Sequence, residues 1–176
     1  MTAYLRTPRL MLRAPVGTDG AGLSRAINHR RVLAETMSWA YPAGPAMCRH
    51  RLEAFARADR RSDATFLITN GREVFGLIGL HRRRRRVFGL GYMLGPAVWG
   101  HGYATEAGRA VLAHGFETLR ADRIEADVFA SNIASQRVLE KLGFVGPSET
   151  GAGWSATRRA NFPRVAYALE RKDWQA

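Results

Sequence analysis

The segment from Val87 to Phe129 constrains the topology of this chain more than any other. Val87–Leu94 reads as a strand. After Pro96 comes Trp99-Gly100-His101-Gly102-Tyr103-Ala104, and from Tyr103 to Leu119 the apolar residues take helical spacing. Ala104, Ala107, Val111, Gly115 and Leu119 fall on one stripe, with Glu106, Arg109, Ala113, Glu117 and Arg120 opposite. Arg123–Phe129 reads as a strand again. Strand, helix and strand in succession predict a right-handed crossover, so the two strands should lie parallel.

What precedes this unit is mostly antiparallel in character. Leu5–Ala14 alternates as a first strand, Thr18-Asp19-Gly20 offers a helix start, and Gly22–Arg31 and Met47–Arg60 read as helices. Met37-Ser38-Trp39-Ala40-Tyr41 forms an aromatic loop between them. Phe66–Thr69 and Val74–Leu80 flank Asn70-Gly71, the dipeptide favoured in type I′ hairpin turns. The five arginines Arg82–Arg86 predict a further turn. Beyond the crossover, Ile133–Leu142 is an amphipathic helix ended by Gly143 in the usual position after a helix. Phe144-Val145 begins a strand and Val165–Leu169 is the last one. The predicted architecture is a mixed α/β sheet, an antiparallel meander followed by a parallel pair, in a single domain over residues 1–176.

Composition limits the partners. The net charge of +12 favours an acidic ligand, but all basic residues except Lys141 and Lys172 are arginine, and none of the usual RNA-module signatures is present. A nucleic-acid-binding module is therefore the disfavoured alternative, and coenzyme A is an anionic ligand that suits a basic chain. Cys48, the single cysteine, cannot form an internal disulfide and has no metal-cluster pattern around it. The stretch MTAYLRTPRL has no apolar run, and no segment approaches the ~18–20 apolar residues of a membrane span. The expectation is a cytoplasmic protein with no metal and no membrane partner.

The loop before the long helix carries the chemistry. Gly100 and Gly102 let the backbone turn tightly, and the free amides of a helix start attract negative charge. Such a loop is either a plain connection or a pyrophosphate cradle. It lacks the Gly-Lys-Ser/Thr of a nucleotide-triphosphate loop. Asn132 lies near the next helix start and is either a cap or a ligand. Ser135 shares a face with Val138, Leu139 and Leu142; it either back-bonds within the helix or points into a site.

The two segments, in this order and at this spacing, resemble the GNAT family of N-acetyltransferases. Trp99-Gly100-His101-Gly102-Tyr103-Ala104-Thr105-Glu106-Ala107 is similar to the family's acetyl-CoA pyrophosphate loop. Asn132-x-x-Ser135 followed by Val138-Leu139-Glu140-Lys141-Leu142-Gly143-Phe144 is similar to its second signature. Thr7-Pro8-Arg9-Leu10-Met11-Leu12-Arg13 at one end, and Tyr167-Ala168-Leu169 with Asp173-Trp174 at the other, resemble the RimJ/RimL branch of ribosomal-protein N-terminal acetyltransferases.

The resemblance implies direct transfer of an acetyl group from acetyl-CoA, the co-substrate, to a small-molecule or peptide amine in a ternary complex. The parallel strands would splay to admit the pantetheine arm along Tyr92, Met93 and Leu94. The pyrophosphate would rest on the segment Gly100, His101, Gly102, Tyr103, Ala104 and Thr105. Asn132 would hold the pantetheine, and Ser135 would face the sulfur as the proton donor. Strand amides near Met93 and Leu94 would stabilise the oxyanion, and the first helices with Trp39 and Tyr41 would form the acceptor wall. The resemblance also admits a homodimer.

Three positions depart from the family pattern. Trp99 stands where the loop usually has Gln or Arg and is expected to pack. Leu139 stands where many relatives have tyrosine, leaving the acid role to Ser135. Gly89 stands where many have a strand glutamate, so no general base is evident. These departures keep a second alternative in play, an acyl-CoA sensor that binds without turnover.

Overall fold

The computed structural model describes residues 4–175. One eight-stranded sheet runs in the order β1-β2-β3-β4-β5-β6-β8-β7. Its strands are β1 (Tyr4–Arg6), β2 (Met11–Arg13), β3 (Asp63–Thr69), β4 (Val74–Arg84), β5 (Val87–Leu94), β6 (Arg123–Phe129), β7 (Val145–Ser155) and β8 (Ala160–Glu170). Every neighbouring pair is antiparallel except β5 and β6. The helices are α1 (Gly20–Ile27), α2 (Arg30–Leu33), α3 (Pro45–Arg57), α4 (Tyr103–Ala113) and α5 (Ile133–Lys141). The mixed sheet with its crossover helix is as the sequence predicts.

Side chains alternate across the strands and divide the core in two. Phe66, Ile78, Leu80, Phe88 and Leu90 pack with Val111, Leu112 and Phe116 on the α4 side. Leu67, Leu77 and Met93 pack on the other face with Leu23 and Ile27 of α1, Leu33 of α2 and Leu52 of α3. The sheet thus carries one helical layer on each face. Cys48 is buried in the second layer, where desolvation raises its thiol pKa.

Several local expectations need correction. Leu5–Ala14 is not one strand: Thr7 and Leu10 bond across a turn and fold it into the β1–β2 hairpin. The helix predicted over Gly22–Arg31 breaks at Asn28, whose side chain accepts from the Ala43 amide. Asn70-Gly71 does not form a two-residue turn. The loop runs to Glu73, because Asn70 Oδ1 accepts from the amides of both Arg72 and Glu73. The strands β7 and β8 are far longer than Phe144-Val145 and Val165–Leu169, since each pairs with the other along a bulged hairpin.

The turn expected over Arg82–Arg86 is confined to Arg85-Arg86, and the run does more than turn the chain. Strand β4 continues through Arg84. Arg83 bonds Glu125 at 3.2 Å and Asp127 at 2.5 Å, Arg84 bonds Glu125 at 3.0 Å, and Arg86 bonds Asp122 at 2.7 Å. These arginines tie β4 and its turn to β6 and so brace the parallel pair.

Candidate active site

Strands β5 and β6 pair over only three positions, Val87–Arg123, Phe88–Ile124 and Gly89–Glu125. Beyond them the strands part, so Leu90–Leu94 faces β6 without a ladder. A fork of this kind leaves backbone groups open to a ligand. A cleft of about 390 Å³ runs through it, lined from β5 by Leu90, Gly91, Tyr92 and Met93 and from β6 by Ala126 to Phe129.

The loop lies at the far end of β5. Gly100 and Gly102 have φ of +78° and +76°, which a side chain would resist. The first intrahelical bond of α4 runs from the Glu106 amide to Gly102 O at 3.0 Å. The amides of Tyr103, Ala104 and Thr105 therefore have no partner within the helix and face its N-terminus, which could hold an anion. Arg9, Arg109 and Lys141 rim a shallow groove shared with Gly102 and Thr105. His101 Nδ1 lies 2.9 Å from Trp99 O, and Tyr103 stacks on Phe75. Trp99 does more than pack: its indole N–H donates to Leu94 O at 2.8 Å, holding the loop to the end of the fork.

On the α5 side, Asn132 caps the helix by accepting from the Ser135 amide at 3.1 Å. Ser135 Oγ is 2.7 Å from the hydroxyl of Tyr92, across the opening. Burial, only partly offset by the Ser135 contact, pushes the Tyr92 pKa up to about 12, so this phenol keeps its proton. Leu139 is fully buried in the α4-side core, as its helical stripe requires. No tyrosine arises from α5, yet a tyrosine reaches Ser135 from β5.

The opposite face of the sheet holds a second set of polar groups. His81 on β4 is the cross-strand partner of Asp63 on one side and Gly89 on the other. A Cβ built on Gly89 would stand 2.5 Å from His81 Nε2 and 2.6 Å from Arg83 Nε. The space above Gly89 thus belongs to His81 and Arg83. His81, Asp63, Asp127 and Arg164 all line the cleft. Trp39, Met37 and Phe55 close it from the helical layer, while Tyr41 is not among the lining residues.

The structure therefore gathers Tyr92, Met93, Asn132 and Ser135 at the cleft, and Gly100–Thr105 at the neighbouring helix start. Sequence reasoning passed over the Tyr92 hydroxyl and His81. Counting back from the Arg84–Val87 pair would have set His81 opposite Leu90; the register shift between Arg82 and Arg84 moves it onto Gly89, so the turn alone does not reveal it.

The acetyltransferase (GNAT) domain family matches residues 9–145. The chain belongs to the GNAT acetyltransferase family. Among curated proteins, an uncharacterized N-acetyltransferase, YoaA of Bacillus subtilis, is 40% identical over 75 residues, covering 42% of each chain. The match to this relative thus spans less than half of its length. Among solved structures, ribosomal-protein-S5-alanine acetyltransferase of Vibrio fischeri superposes with a TM-score of 0.83 at 17% identity, over 99% of this chain and 100% of that one. Mycobacterium smegmatis RimJ in complex with CoA-disulfide gives 0.80 at 22% identity, over 97% and 87%. At these identities the likeness speaks for the GNAT fold.

Proposed function

We propose that this GNAT domain transfers an acetyl group from acetyl-CoA to the amine of a protein N-terminus or small molecule, by direct attack in a ternary complex. The observation that carries this reading is the fork: β5 and β6 separate after Gly89 and Glu125, with unpaired helix amides at one end and a two-sided polar cleft across it. The pantetheine arm lies along Tyr92, Met93 and Leu94. The pyrophosphate takes the amides from Gly100 to Thr105, and the basic rim of Arg9, Arg109 and Lys141 adds charge of the right sign.

The two faces of the sheet divide the work. The amine enters from the helical layer of Trp39 and attacks the thioester carbonyl. Strand amides near Met93 and Leu94 stabilise the oxyanion. The sulfur leaves toward Ser135, whose hydroxyl and Tyr92 partner supply hydrogen bonds to the thiolate. Asn132 steadies that serine through its amide. A covalent route through Cys48 is disfavoured because its thiol is buried and its pKa raised. The structural likeness to the Vibrio fischeri and Mycobacterium smegmatis proteins supports the RimJ/RimL-like branch and makes a peptide N-terminus a candidate acceptor.

Thiol release from acetyl-CoA, followed across an alanine-terminated hexapeptide, spermidine and free amino acids, tests the proposal. Amine-dependent release is expected. Binding of acetyl-CoA without release for any amine would favour the sensor reading instead.

A further inference from the structure

Amide formation from an amine needs a group that takes a proton from the attacking nitrogen, and the donor-side hydroxyls of Tyr92 and Ser135 do not serve that end. We propose that His81 is the general base of this domain, an inference that rests on the acetyltransferase reading above.

The geometry carries it. His81 projects from the same sheet face as Gly79 and Leu77, the face covered by α1 to α3. Gly89 and Gly91 lie beneath it on β5, and neither has a side chain to fill the space over the fork. A Cβ on Gly89 would meet the imidazole Nε2 at 2.5 Å, and one on Gly91 would meet the ring carbon Cε1 at 4.0 Å. The ring therefore lies across the two glycines at the start of the opening. It remains solvent-accessible from the cleft, so an incoming amine can reach it. Tyr92 and Ser135 belong to the other side of the fork.

The charges around His81 keep it ready. Desolvation lowers its pKa below that of a free histidine, and Arg83, two residues along β4, lowers it further. Asp63 on β3 and Asp127 on β6 push the other way and do not prevail. Arg164 on β8 adds positive charge to the cleft, and Glu35 and Arg51 face it from the helical layer with opposite signs. The imidazole is neutral near pH 7, which is the form that accepts a proton. Arg83 is itself held by Glu125 and Asp127, so the neighbouring cation is fixed in place.

In the step itself, His81 takes a proton from the arriving ammonium, which frees the nitrogen lone pair to form the C–N bond, and the second nitrogen proton leaves to water as the amide forms. The C–S bond breaks with its electron pair going to sulfur. The thiolate takes a proton by way of the Ser135 hydroxyl, which water replenishes, and the imidazolium returns its proton to water.

The test compares methylamine with hydroxylamine. The two are nearly equal in size, but methylamine is almost wholly protonated at pH 7 and hydroxylamine is neutral. His81→Gln should lower kcat/KM for methylamine by about 100-fold, the lower end for a positioned base. It should lower that for hydroxylamine far less, and it should remove the acid limb of the wild-type pH profile. Added imidazole should restore part of the rate of His81→Gly. Equal losses with both amines, or an unchanged pH profile in His81→Gln, would overturn the proposal. Thermal stabilisation by acetyl-CoA should persist in the variants. Its absence from the wild type would sink the acetyltransferase reading itself, and the base with it.

Discussion

The hydroxyl oxygens of Tyr92 and Ser135 lie 2.7 Å apart, joining β5 on one side of the fork to α5 on the other. The Tyr92 hydroxyl also donates toward Ser135 O at 3.1 Å. Each hydroxyl is thereby oriented by the other.

A Ser135→Ala variant should lose roughly tenfold to a thousandfold in kcat, toward the lower part of the range for a positioned proton donor. Coenzyme affinity should change much less, because the helix amides at Tyr103–Thr105 are untouched. Tyr92→Phe should also lower kcat, and the double variant should be little worse than Ser135→Ala alone, since coupled groups do not add. Steady-state kinetics with acetyl-CoA binding on all three variants decides this. Full additivity would mean that the two hydroxyls act apart.

Gly102→Val should weaken acetyl-CoA binding. Its φ of +76° makes any β-branched residue strained there, at a cost of ~1–2 kcal/mol. Strain alone is controlled for by Gly151→Val: Gly151 also has φ of +76° and nothing within 4 Å of a built Cβ, far along the β7 hairpin. Both variants should lose similar stability in denaturant, and only Gly102→Val should lose affinity by calorimetry. Equal affinities would mean that the loop is a connection.

The backbone of the site was legible in the sequence. Val87–Leu94 and Arg123–Phe129 are strands with the bounds that period and breakers suggested, and Gly143 closes α5 with φ of +86°. Such features are local: spacing and turn chemistry set them. What escaped was non-local. Tyr92 meets Ser135 only because the β5–β6 ladder ends at Gly89, and His81 meets Gly89 only through hairpin register. The ion pairs of the arginine run were hidden for the same reason, since its acidic partners Glu125 and Asp127 lie about forty residues on.

Gly95→Ala should be among the most damaging single changes. A Cβ there would stand 2.2 Å from the carbonyl oxygen of Ala26, a backbone atom of α1 that has no rotamer to escape by. Separation of α1 from the end of β5 would follow, at a cost of about 3 kcal/mol, the upper end for overpacking. Gly44→Ala, with nothing within 4 Å, is the steric control and should lose only the ~0.5–1 kcal/mol that alanine costs at the N-cap of α3.

Glu106 explains why Thr7-Pro8-Arg9 belongs with the loop motif. In the first turn of α4, its carboxylate accepts from the Thr7 hydroxyl, the Arg9 amide at 2.9 Å and the Arg9 guanidinium at 2.6 Å, while Arg9 also covers the Tyr103 ring. Desolvation acts to raise the Glu106 pKa, but the bonds from Thr7 and Arg9 outweigh it and the net shift is downward. A lowered carboxylate stabilises the folded state at pH above its unfolded value of about 4.3, and that contribution fades as pH falls through the folded value. Glu106→Gln should therefore melt below the wild type at pH 7, by about 2–4 °C for each 1 kcal/mol lost. The gap should close progressively below about pH 4.3. Because the same turn of α4 is the proposed coenzyme cradle, the variant should also bind acetyl-CoA more weakly at pH 7. A melting gap that stays constant from pH 7 into the acid range would mean that the ionised carboxylate is not what fastens the β1–β2 turn to the helix.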